Sequence, residues 1–509
     1  MNMSQSILQM EKDFFDYNKK ISAYNEALAL IYWDLRTGAP KQGINQRAEV
    51  IGILSSAAYD LSVSETMAAY LATLSSKEAQ LVISDITKKL VEECTKEYNH
   101  KRKIPAAEYK EYVILLSQAE SIWEEAREKA DFELFRPYLE KIVDMNKRFI
   151  DYWGYKGNKY NTLLDLYEPG MTVEVLDQVF SDLRANIVPL IRKIANSNQK
   201  PVTDYLYKNF PRENQLAFTK EILNQMGYNF AAGRLDDTVH PFETAINRGD
   251  VRITTRYDEA DFRMAVFGTI HEGGHALYEQ NIAEELAGTP LCAGTSMGIH
   301  ESQSLFYENF VGRHVSFWKK NFSLLKEFAE GQFEGIDVNE FYRAINESKP
   351  SLIRIESDEL TYTLHIMIRY EIEKALMNDE IEVKDLPKVW NDKYEEYLGI
   401  RPSHDGEGVL QDVHWAGGSF GYFPSYALGY MYAAQFKQAM LHDIPEYDQL
   451  LEEGNLLPIK NWLTSHIHHY GKMKKPLEIL NDVTGEGLNA KYLIQYLTEK
   501  YSHVYQLDL

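Results

Sequence analysis

Two histidines four residues apart, with a glutamate directly after the first, are the residues of this sequence best suited to chemistry. They form "HEGGH" at 271–275, within the stretch "FGTIHEGGHALYEQN". Because residues i and i+4 share one face of an α-helix, His271 and His275 can direct ring nitrogens at a single ion. Glu272 lies one position around the helix, where its carboxylate can take a proton from water that the ion activates. The pattern predicts a metal site that catalyses hydrolysis; the alternative is a chance match of two surface histidines.

Two glycines stand inside this motif. Gly273 and Gly274 each weaken a helix by about 1 kcal/mol relative to alanine. We expect close packing against a substrate or a neighbouring strand to be the reason for their presence.

A third ligand is expected from further along the chain, because a catalytic zinc ion takes three protein ligands and keeps one position open. The loop 287–298 separates the motif from another helical stretch, which Glu301 opens 26 residues past His275. This spacing suits a third ligand on a separate helix, as in the glutamate-type zincins. The alternative is a first-turn glutamate that favours the helix dipole. Ser304 and Glu308 share a helix face with Glu301 and are candidates for orienting the ligands.

Hydrophobic periodicity predicts helix over most of the chain. Over 104–130, apolar residues recur every three or four positions and charged residues fill much of the opposite face, which is the pattern of an amphipathic helix. The predicted buried stripe of this helix consists of Tyr109, Val113, Leu116, Ala119, Trp123, Ala126 and Ala130. Similar patterns predict helices within 4–28, 76–95, 138–152, 174–197, 212–227, 358–379 and 425–440.

Two segments interrupt the helical pattern. Within 234–257, the turn signal "NRGD" precedes the β-branched run "VRITTRY", which predicts a short β-hairpin. The segment 398–424 holds six glycines and two prolines. A loop of this length in a compact domain is usually functional or disordered, and its tryptophan and other aromatic residues favour a functional loop. With no repeat and no linker in between, we predict a mainly α fold in a single domain, 1–509. Its helical N-terminal lobe covers roughly 1–200, and the portion with the metal site covers roughly 201–509.

Composition excludes several classes of function. The net charge of −22 and the lack of a basic footprint predict no binding of nucleic acid. No apolar run is long enough to span a bilayer, so we expect no membrane partner. The N-terminal segment has no secretory pattern. The two cysteines, Cys94 and Cys292, are too few for a disulfide framework, which fits a reducing, cytoplasmic location.

Several segments, taken in order, resemble the signatures of one family, the carboxypeptidase Taq family of zinc metallocarboxypeptidases. "VHPFETAINRGDVRITTRY" is similar to its His-Pro-Phe and Asp-x-Arg-x-Thr signatures, "HEGGHALYEQ" to its zinc motif and "GIHESQS" to its His-Glu-Ser motif. "IRIESDE" resembles Ile-Arg-x-x-Ala-Asp, and "GVLQDVHW" resembles Gly-x-x-Gln-Asp-x-His-Trp. Two departures are Ser357 in place of alanine and Ala39 in place of methionine. Neither departure falls on a candidate ligand.

This resemblance implies an almost entirely helical, saddle- or clam-shaped body with two lobes around a deep groove, and a small β-sheet near the metal site. It implies removal of C-terminal residues, with broad specificity, from peptide substrates with a free C-terminus. It further implies a homodimer and one Zn²⁺ per chain, for which Co²⁺ could substitute. Carried over by position, His271, His275 and Glu301 bind the zinc ion, and Glu272 is the general base.

The oxyanion of the transition state needs hydrogen-bond donors in addition to the metal ion. His414 in "DVHW" and a tyrosine in "GYFPSYALGY" are the candidates. Tyr426 is the first choice among the tyrosines and Tyr422 the second. The alternative for either tyrosine is ordinary aromatic packing.

An exopeptidase must also hold the terminal carboxylate of its substrate, for which the planar fork of arginine is best suited. Arg354 is the candidate that matches a family signature, and Arg252 and Arg401 could line the groove. The alternative for each arginine is a surface or structural ion pair. His240 lies beside the predicted strand and is a candidate for substrate contact. The strand itself could pair with the substrate backbone.

The sequence contains other histidines, and it allows two other functions. His365 sits among apolar residues and is predicted to be a core histidine, and the histidines of "HIHHY" at 466–470 point in different directions on a helix. One rival function is an endo-acting oligopeptidase with a similar groove. The other is a non-catalytic peptide-binding protein, which Glu272 disfavours because a structural zinc needs no neighbouring base.

Overall fold

Helices account for most of the chain in the computed structural model, which describes residues 3–507. The first nine helices belong to the predicted N-terminal lobe. They are α1 (Met3–Thr37), α2 (Ile44–Ser62), α3 (Glu65–Leu74), α4 (Lys77–Gln80), α5 (Asp85–Lys103), α6 (Ala106–Lys129), α7 (Phe132–Trp153), α8 (Tyr160–Tyr167) and α9 (Val173–Ala195).

The second half carries the sheet and the remaining helices. Its first elements are α10 (Arg212–Met226), β1 (Leu235–Asp237), β2 (Glu243–Asn247), β3 (Asp250–Thr255), α11 (Arg263–Gln280) and α12 (Met297–Leu305). The later helices are α13 (Val315–Phe328), α14 (Val338–Ile345), α15 (Tyr362–Met377), α16 (Leu386–Leu398), α17 (Pro424–Asp443), α18 (Tyr447–Glu453), α19 (Leu457–His466), α20 (Pro476–Thr484) and α21 (Lys491–Tyr505). The prediction of a mainly α fold with a small sheet is confirmed. The division into two lobes of one domain stays a prediction.

The predicted helices differ from the observed ones in two respects. The pattern at 76–95 covers two helices, α4 and α5, because Ser84 caps the start of α5 by accepting a hydrogen bond from the backbone N–H of Thr87. In α6 the predicted stripe is correct for its C-terminal half only. Tyr109 and Val113 are 46% and 49% exposed, although the ring of Tyr109 stacks on that of Tyr59 in α2 with the centroids 6.4 Å apart.

The predicted hairpin is present and gains a third strand. β2 and β3 pair antiparallel, with Thr244 opposite Arg252, and β1 pairs parallel with β3 on its other side. The strand order is therefore β1-β3-β2. The central strand β3 packs on α11 and contributes Val251 and Ile253, which are fully buried. This sheet holds one side of the helix that carries the histidines.

Helix α12 lies wedged between α11 and α17, and glycines on both neighbours allow the close approach. A Cβ atom on Gly274 of α11 would lie 2.5 Å from the carbonyl oxygen of Gln303 and 2.7 Å from Cα of Ser304. A Cβ atom on Gly429 of α17 would lie 2.6 Å from Cβ of Glu301. The neighbour that requires Gly274 is therefore helix α12 rather than the strand or substrate expected from the sequence.

Replacing Gly274 by alanine is expected to destabilise the metal-free protein by roughly 1–3 kcal/mol, because the backbone of α12 cannot yield to a new Cβ atom. Gly268→Ala on the same helix is the matched control. A Cβ atom at Gly268 meets only the sulfur of Met264 at 3.9 Å, and alanine raises helix propensity by about 1 kcal/mol. The midpoints of denaturant unfolding compare the two variants. Equal midpoints would contradict the close approach of α11 and α12.

The segment 398–424 forms an ordered loop, as predicted, and a buried carboxylate holds it. Glu373 of α15 is fully buried and accepts hydrogen bonds from the indole N–H of Trp415 at 2.7 Å and the backbone N–H of Gly421 at 2.8 Å. Burial raises the pKa of Glu373 to about 7 against the effect of these bonds. The loop is thereby tied to the core of the body.

Two further observations bear on the predictions from composition. No helix within residues 3–507 combines the length and the apolar character needed to cross a membrane. Cys94 and Cys292 are both free thiols, as the low cysteine content predicts.

Candidate metal centre

Three predicted ligands converge where α11 meets α12. Nε2 of His275 lies 3.4 Å from Oε2 of Glu301, and Nε2 of His271 lies 3.9 Å from the same oxygen. One donor atom from each side chain lies within 4.8 Å of the other two. Zinc bonds of about 2.0–2.1 Å in tetrahedral geometry place donor atoms roughly 3.4 Å apart. The three side chains therefore fit a single ion of this size.

The chemistry and the surroundings of this cluster fit a catalytic ion as well as its spacing does. Two imidazoles and one carboxylate are the donor set of glutamate-type zinc sites. His271 and Glu301 line a pocket of about 180 Å³ together with Tyr362 and Tyr430. The pocket leaves room on one side of the cluster for a ligand from solvent and for part of a substrate.

A half-buried ion pair contacts the side of the His271 ring that faces away from Glu301. Nδ1 of His271 lies 2.9 Å from Oε2 of Glu308, and the other oxygen of Glu308 accepts from Nη2 of Arg313 at 3.0 Å. Burial opposes charge on Glu308, but His271 and Arg313 lower its pKa well below the usual range. Glu308 thus contacts a predicted ligand, and its role in orienting His271 stays a prediction. Ser304, the other candidate, donates to the main-chain oxygen of Glu301 at 2.7 Å.

His275 has a different support, which the sequence analysis missed. Its Nδ1 lies 2.6 Å from Nδ1 of His300, and Nε2 of His300 lies 3.0 Å from Oε1 of Glu279. The sequence signal that could have indicated this role is the position of His300 in "HES", directly before Glu301. Burial lowers the pKa of His275, which favours the neutral ring, the form that binds a metal.

Glu272 lies beside the cluster without belonging to it. The residue is 8% exposed, and burial raises its pKa to about 7, against the effect of a positive charge on His271. A carboxylate with a pKa near the working pH is suited to accept a proton and to return it.

Arg354 is buried and tied to the pocket through a tyrosine. Its Nη2 lies 2.9 Å from Oδ1 of Asp412, and its Nη1 donates to the hydroxyl of Tyr362 at 2.7 Å. Nε of Arg369 donates to Oδ2 of the same Asp412 at 2.7 Å. Two guanidinium groups thus share one carboxylate, which leaves a net positive charge beside a pocket wall.

The candidates for binding the oxyanion, two in the loop and one in the first turn of α17, lie together around this arginine. The hydroxyl of Tyr426 lies 3.5 Å from Nε2 of His414, and its ring centroid lies 5.1 Å from the guanidinium of Arg354. The ring of Tyr422 is 5.3 Å from that of Tyr426. Burial and, after it, the charge of Glu301 raise the pKa of Tyr422.

Three other candidates have contacts away from the cluster. Arg252 makes a bidentate ion pair with Asp250, in which Nε and Nη2 each donate to a carboxylate oxygen at 2.7 Å. Arg401 is exposed and pairs with two carboxylates of α16. His240 is exposed in the turn between β1 and β2. The two arginines make the ion pairs that were the alternative for each, and their contact with substrate stays a prediction.

The remaining histidines lie outside the cluster. His365 is fully buried and its Nδ1 lies 2.9 Å from the hydroxyl of Tyr394, which fits the predicted core histidine. In "HIHHY", His468 is buried with Nε2 at 2.8 Å from Oε1 of Gln303, and His466 bonds to a backbone carbonyl of its own helix.

A helical body that brings an HExxH helix and a glutamate of a second helix together is that of a metallopeptidase. The chain belongs to the carboxypeptidase Taq (M32) metallopeptidase family, whose model matches residues 13–501. It is 59% identical to Carboxypeptidase 1 of Bacillus subtilis, over 98% of this chain and 99% of that protein. It is 39% identical to Thermostable carboxypeptidase 1 of Thermus thermophilus, over 98% of each chain.

Solved structures agree with this assignment. The crystal structure of the M32 carboxypeptidase from Deinococcus radiodurans is 34% identical and matches with a TM-score of 0.95, over 98% of this chain and 100% of that one. The resemblance drawn from the signatures is confirmed, and the protein is a metallocarboxypeptidase.

Proposed function

We propose that the protein is a zinc-dependent carboxypeptidase that removes C-terminal residues, with broad specificity, from peptides with a free C-terminus. The observation that carries this proposal is the convergence of His271, His275 and Glu301, with Glu272 buried beside them. Family membership contradicts the non-catalytic alternative, and the carboxypeptidase relatives disfavour the endo-acting one.

The three donors would hold one Zn²⁺ per chain, and Co²⁺ could take its place because it accepts the same nitrogen and oxygen ligands. The ion supplies Lewis acidity, which polarises the scissile carbonyl and makes water a nucleophile at neutral pH. Glu308 fixes the ring of His271 from behind, and the neutral ring of His275 offers its nitrogen without first losing a proton.

Glu272 acts as the general base. Its carboxylate takes a proton from the attacking water and returns it to the leaving amine. The hydroxyl of Tyr426 or Tyr422, or the ring of His414, donates a hydrogen bond to the developing oxyanion. Their position around Arg354 and near Glu301 supports this role. Between the two tyrosines, Tyr426 remains the first choice because its hydroxyl is the one next to His414.

Arg354 binds the terminal carboxylate of the peptide. Two observations support this role. Arg354 and Arg369 share the single carboxylate of Asp412, so one of their two positive charges has no partner. Arg354 also donates to Tyr362, which lines the pocket beside the ligands. Arg252, Arg401 and His240 are assigned to the groove walls by position only.

We also propose a cytoplasmic homodimer. The free thiols fit a reducing compartment. Val50 and Ile53 lie one turn apart on α2 and are 40% and 70% exposed. Exposed apolar side chains that share a helix face favour association with another protein surface. Light scattering on the purified protein tests the dimer. A monomer at every concentration would contradict it.

Removing the metal with a chelator is expected to abolish hydrolysis of a short N-blocked peptide, and one equivalent of Zn²⁺ per chain to restore it. The reason is that the ion is needed both to polarise the carbonyl and to activate water. The His271→Ala variant is the control, because zinc at one equivalent should not restore its activity. Full activity of a chain shown to be free of metal would contradict the proposal.

A further inference from the structure

His300 makes a hydrogen-bond chain that starts at a predicted metal ligand and ends at a buried carboxylate. The chain runs from Nδ1 of His275 to Nδ1 of His300 at 2.6 Å, and from Nε2 of His300 to Oε1 of Glu279 at 3.0 Å. Glu279 is only 6% exposed. These contacts join α11 to the first turn of α12, so they also link the two helices that carry the ligands.

The positions of the protons in this chain follow from its geometry. Nε2 of His275 faces Glu301, so when this nitrogen binds a cation the ring proton must lie on Nδ1. Nδ1 of His300 must then accept that proton's hydrogen bond, which places the proton of His300 on Nε2. There it is donated to Glu279. Each group thus determines the tautomer of the next.

The surroundings leave the ring of His300 little freedom to turn. The ring centroid lies 4.6 Å from that of His275 and 5.3 Å from that of Tyr278. A Cβ atom on Gly294 would lie 2.5 Å from Cδ2 of His300, so the backbone itself closes the third side. Glu279 is fixed in turn, because its Oε1 accepts from the backbone N–H of Gly294 at 2.8 Å.

We propose that His300 and Glu279 are positioning residues, which hold His275 in the tautomer and orientation that present Nε2 to the metal. The inference rests on the proposed function, in that His275 must be a ligand. It goes beyond that function because it assigns a task to two residues that do not touch the ion. Outer partners of this kind typically contribute 10–100-fold to metal affinity.

Two substitutions of His300 separate this role from simple packing. His300→Phe keeps a flat ring beside Tyr278 but can neither accept nor donate. His300→Gln loses the ring but offers an oxygen that can accept from His275 and an N–H that can donate to Glu279. The dissociation constant for Zn²⁺ is measured by competition with a chromophoric chelator. We expect His300→Phe to weaken zinc binding by roughly 10–100-fold and His300→Gln to remain closer to the wild type.

A packing role would reverse this order. Zinc binding by His300→Phe that is as tight as that of the wild type, or of His300→Gln, would therefore overturn the proposal. If a His300 variant does not fold, the same comparison can be made at Glu279, the hydrogen-bond partner of His300, with the variants Glu279→Leu and Glu279→Gln. Only the glutamine retains an oxygen that accepts from His300, so we expect the leucine variant to bind zinc more weakly, and equal binding would overturn the role of Glu279.

The His275→Ala variant distinguishes failure of this inference from failure of the proposed function. If His275→Ala binds zinc as the wild type does, His275 is not a ligand and both proposals fall. If His275→Ala loses zinc while His300→Phe keeps it, the ligand set stands and only the positioning role is refuted. A kinetic comparison at saturating zinc adds a second measure. For a residue that acts through metal affinity, excess zinc should restore kcat in His300→Phe with KM unchanged.

Discussion

Replacing Glu272 by glutamine is expected to lower kcat by roughly 10²–10⁴-fold, which is the usual contribution of a positioned general base. Glutamine has nearly the same shape but cannot take a proton from water. Because Glu272 lies beside the ligands and is not one of them, the variant should retain its zinc. Hydrolysis of an N-blocked peptide and metal content per chain, measured on the same preparation, check both parts of this expectation.

Glu285→Gln is the matched control for this variant. Glu285 is an exposed glutamate shortly after the end of α11, so the same change of charge there should leave kcat unaltered. Wild-type turnover by a Glu272→Gln variant that holds its metal would show that another group acts as the base.

Amidation of the substrate's C-terminus is expected to lower kcat/KM on the order of 10⁴-fold, the discrimination typical of a site whose buried polar group loses its partner. Arg354 already shares Asp412 with Arg369. The terminal carboxylate would supply the second negative charge of this group, and a neutral amide cannot replace it. The test compares one peptide sequence with a free and with an amidated end.

Two controls define what the amidation experiment shows. Blocking the N-terminus of the same peptide should change kcat/KM little, because none of the proposed site residues binds that end. Arg354→Lys should lower kcat/KM through loss of the bidentate fork, whereas Arg192→Lys on the exposed surface of α9 should not. Unchanged cleavage of the amidated peptide would favour an endo-acting peptidase instead.

Helices with a single strong apolar stripe were predictable to within a few residues. The pattern at 212–227 corresponds to α10, Arg212–Met226, and that at 174–197 to α9, Val173–Ala195. Prediction failed where a local cap outweighed the pattern, as at Ser84 between α4 and α5. It also failed for β1, because three residues that pair with a strand about 18 positions later carry almost no local signal.

Within the candidate site, local spacing was enough for some residues and insufficient for others. His271 and His275 follow from four-residue spacing on one helix, and Glu272 follows from them, because helix geometry is a property of the backbone. Spacing alone could not decide whether Glu301 is a metal ligand or a glutamate that only stabilises the start of its helix. Likewise, Arg354 read alone could not be distinguished from a structural ion pair, and it does make such a pair with Asp412.

From the order of residues alone came the helices, the hairpin, the histidine pair with its base, and the family through its ordered signatures. Only the folded chain brought Glu301 to the histidines, because the missing side chains of Gly274 and Gly429 let three helices approach more closely than helices usually do. The same approach placed His300 against His275. Contacts of this kind depend on how distant segments pack, and packing is decided by shape and volume summed over the whole core rather than by any local pattern.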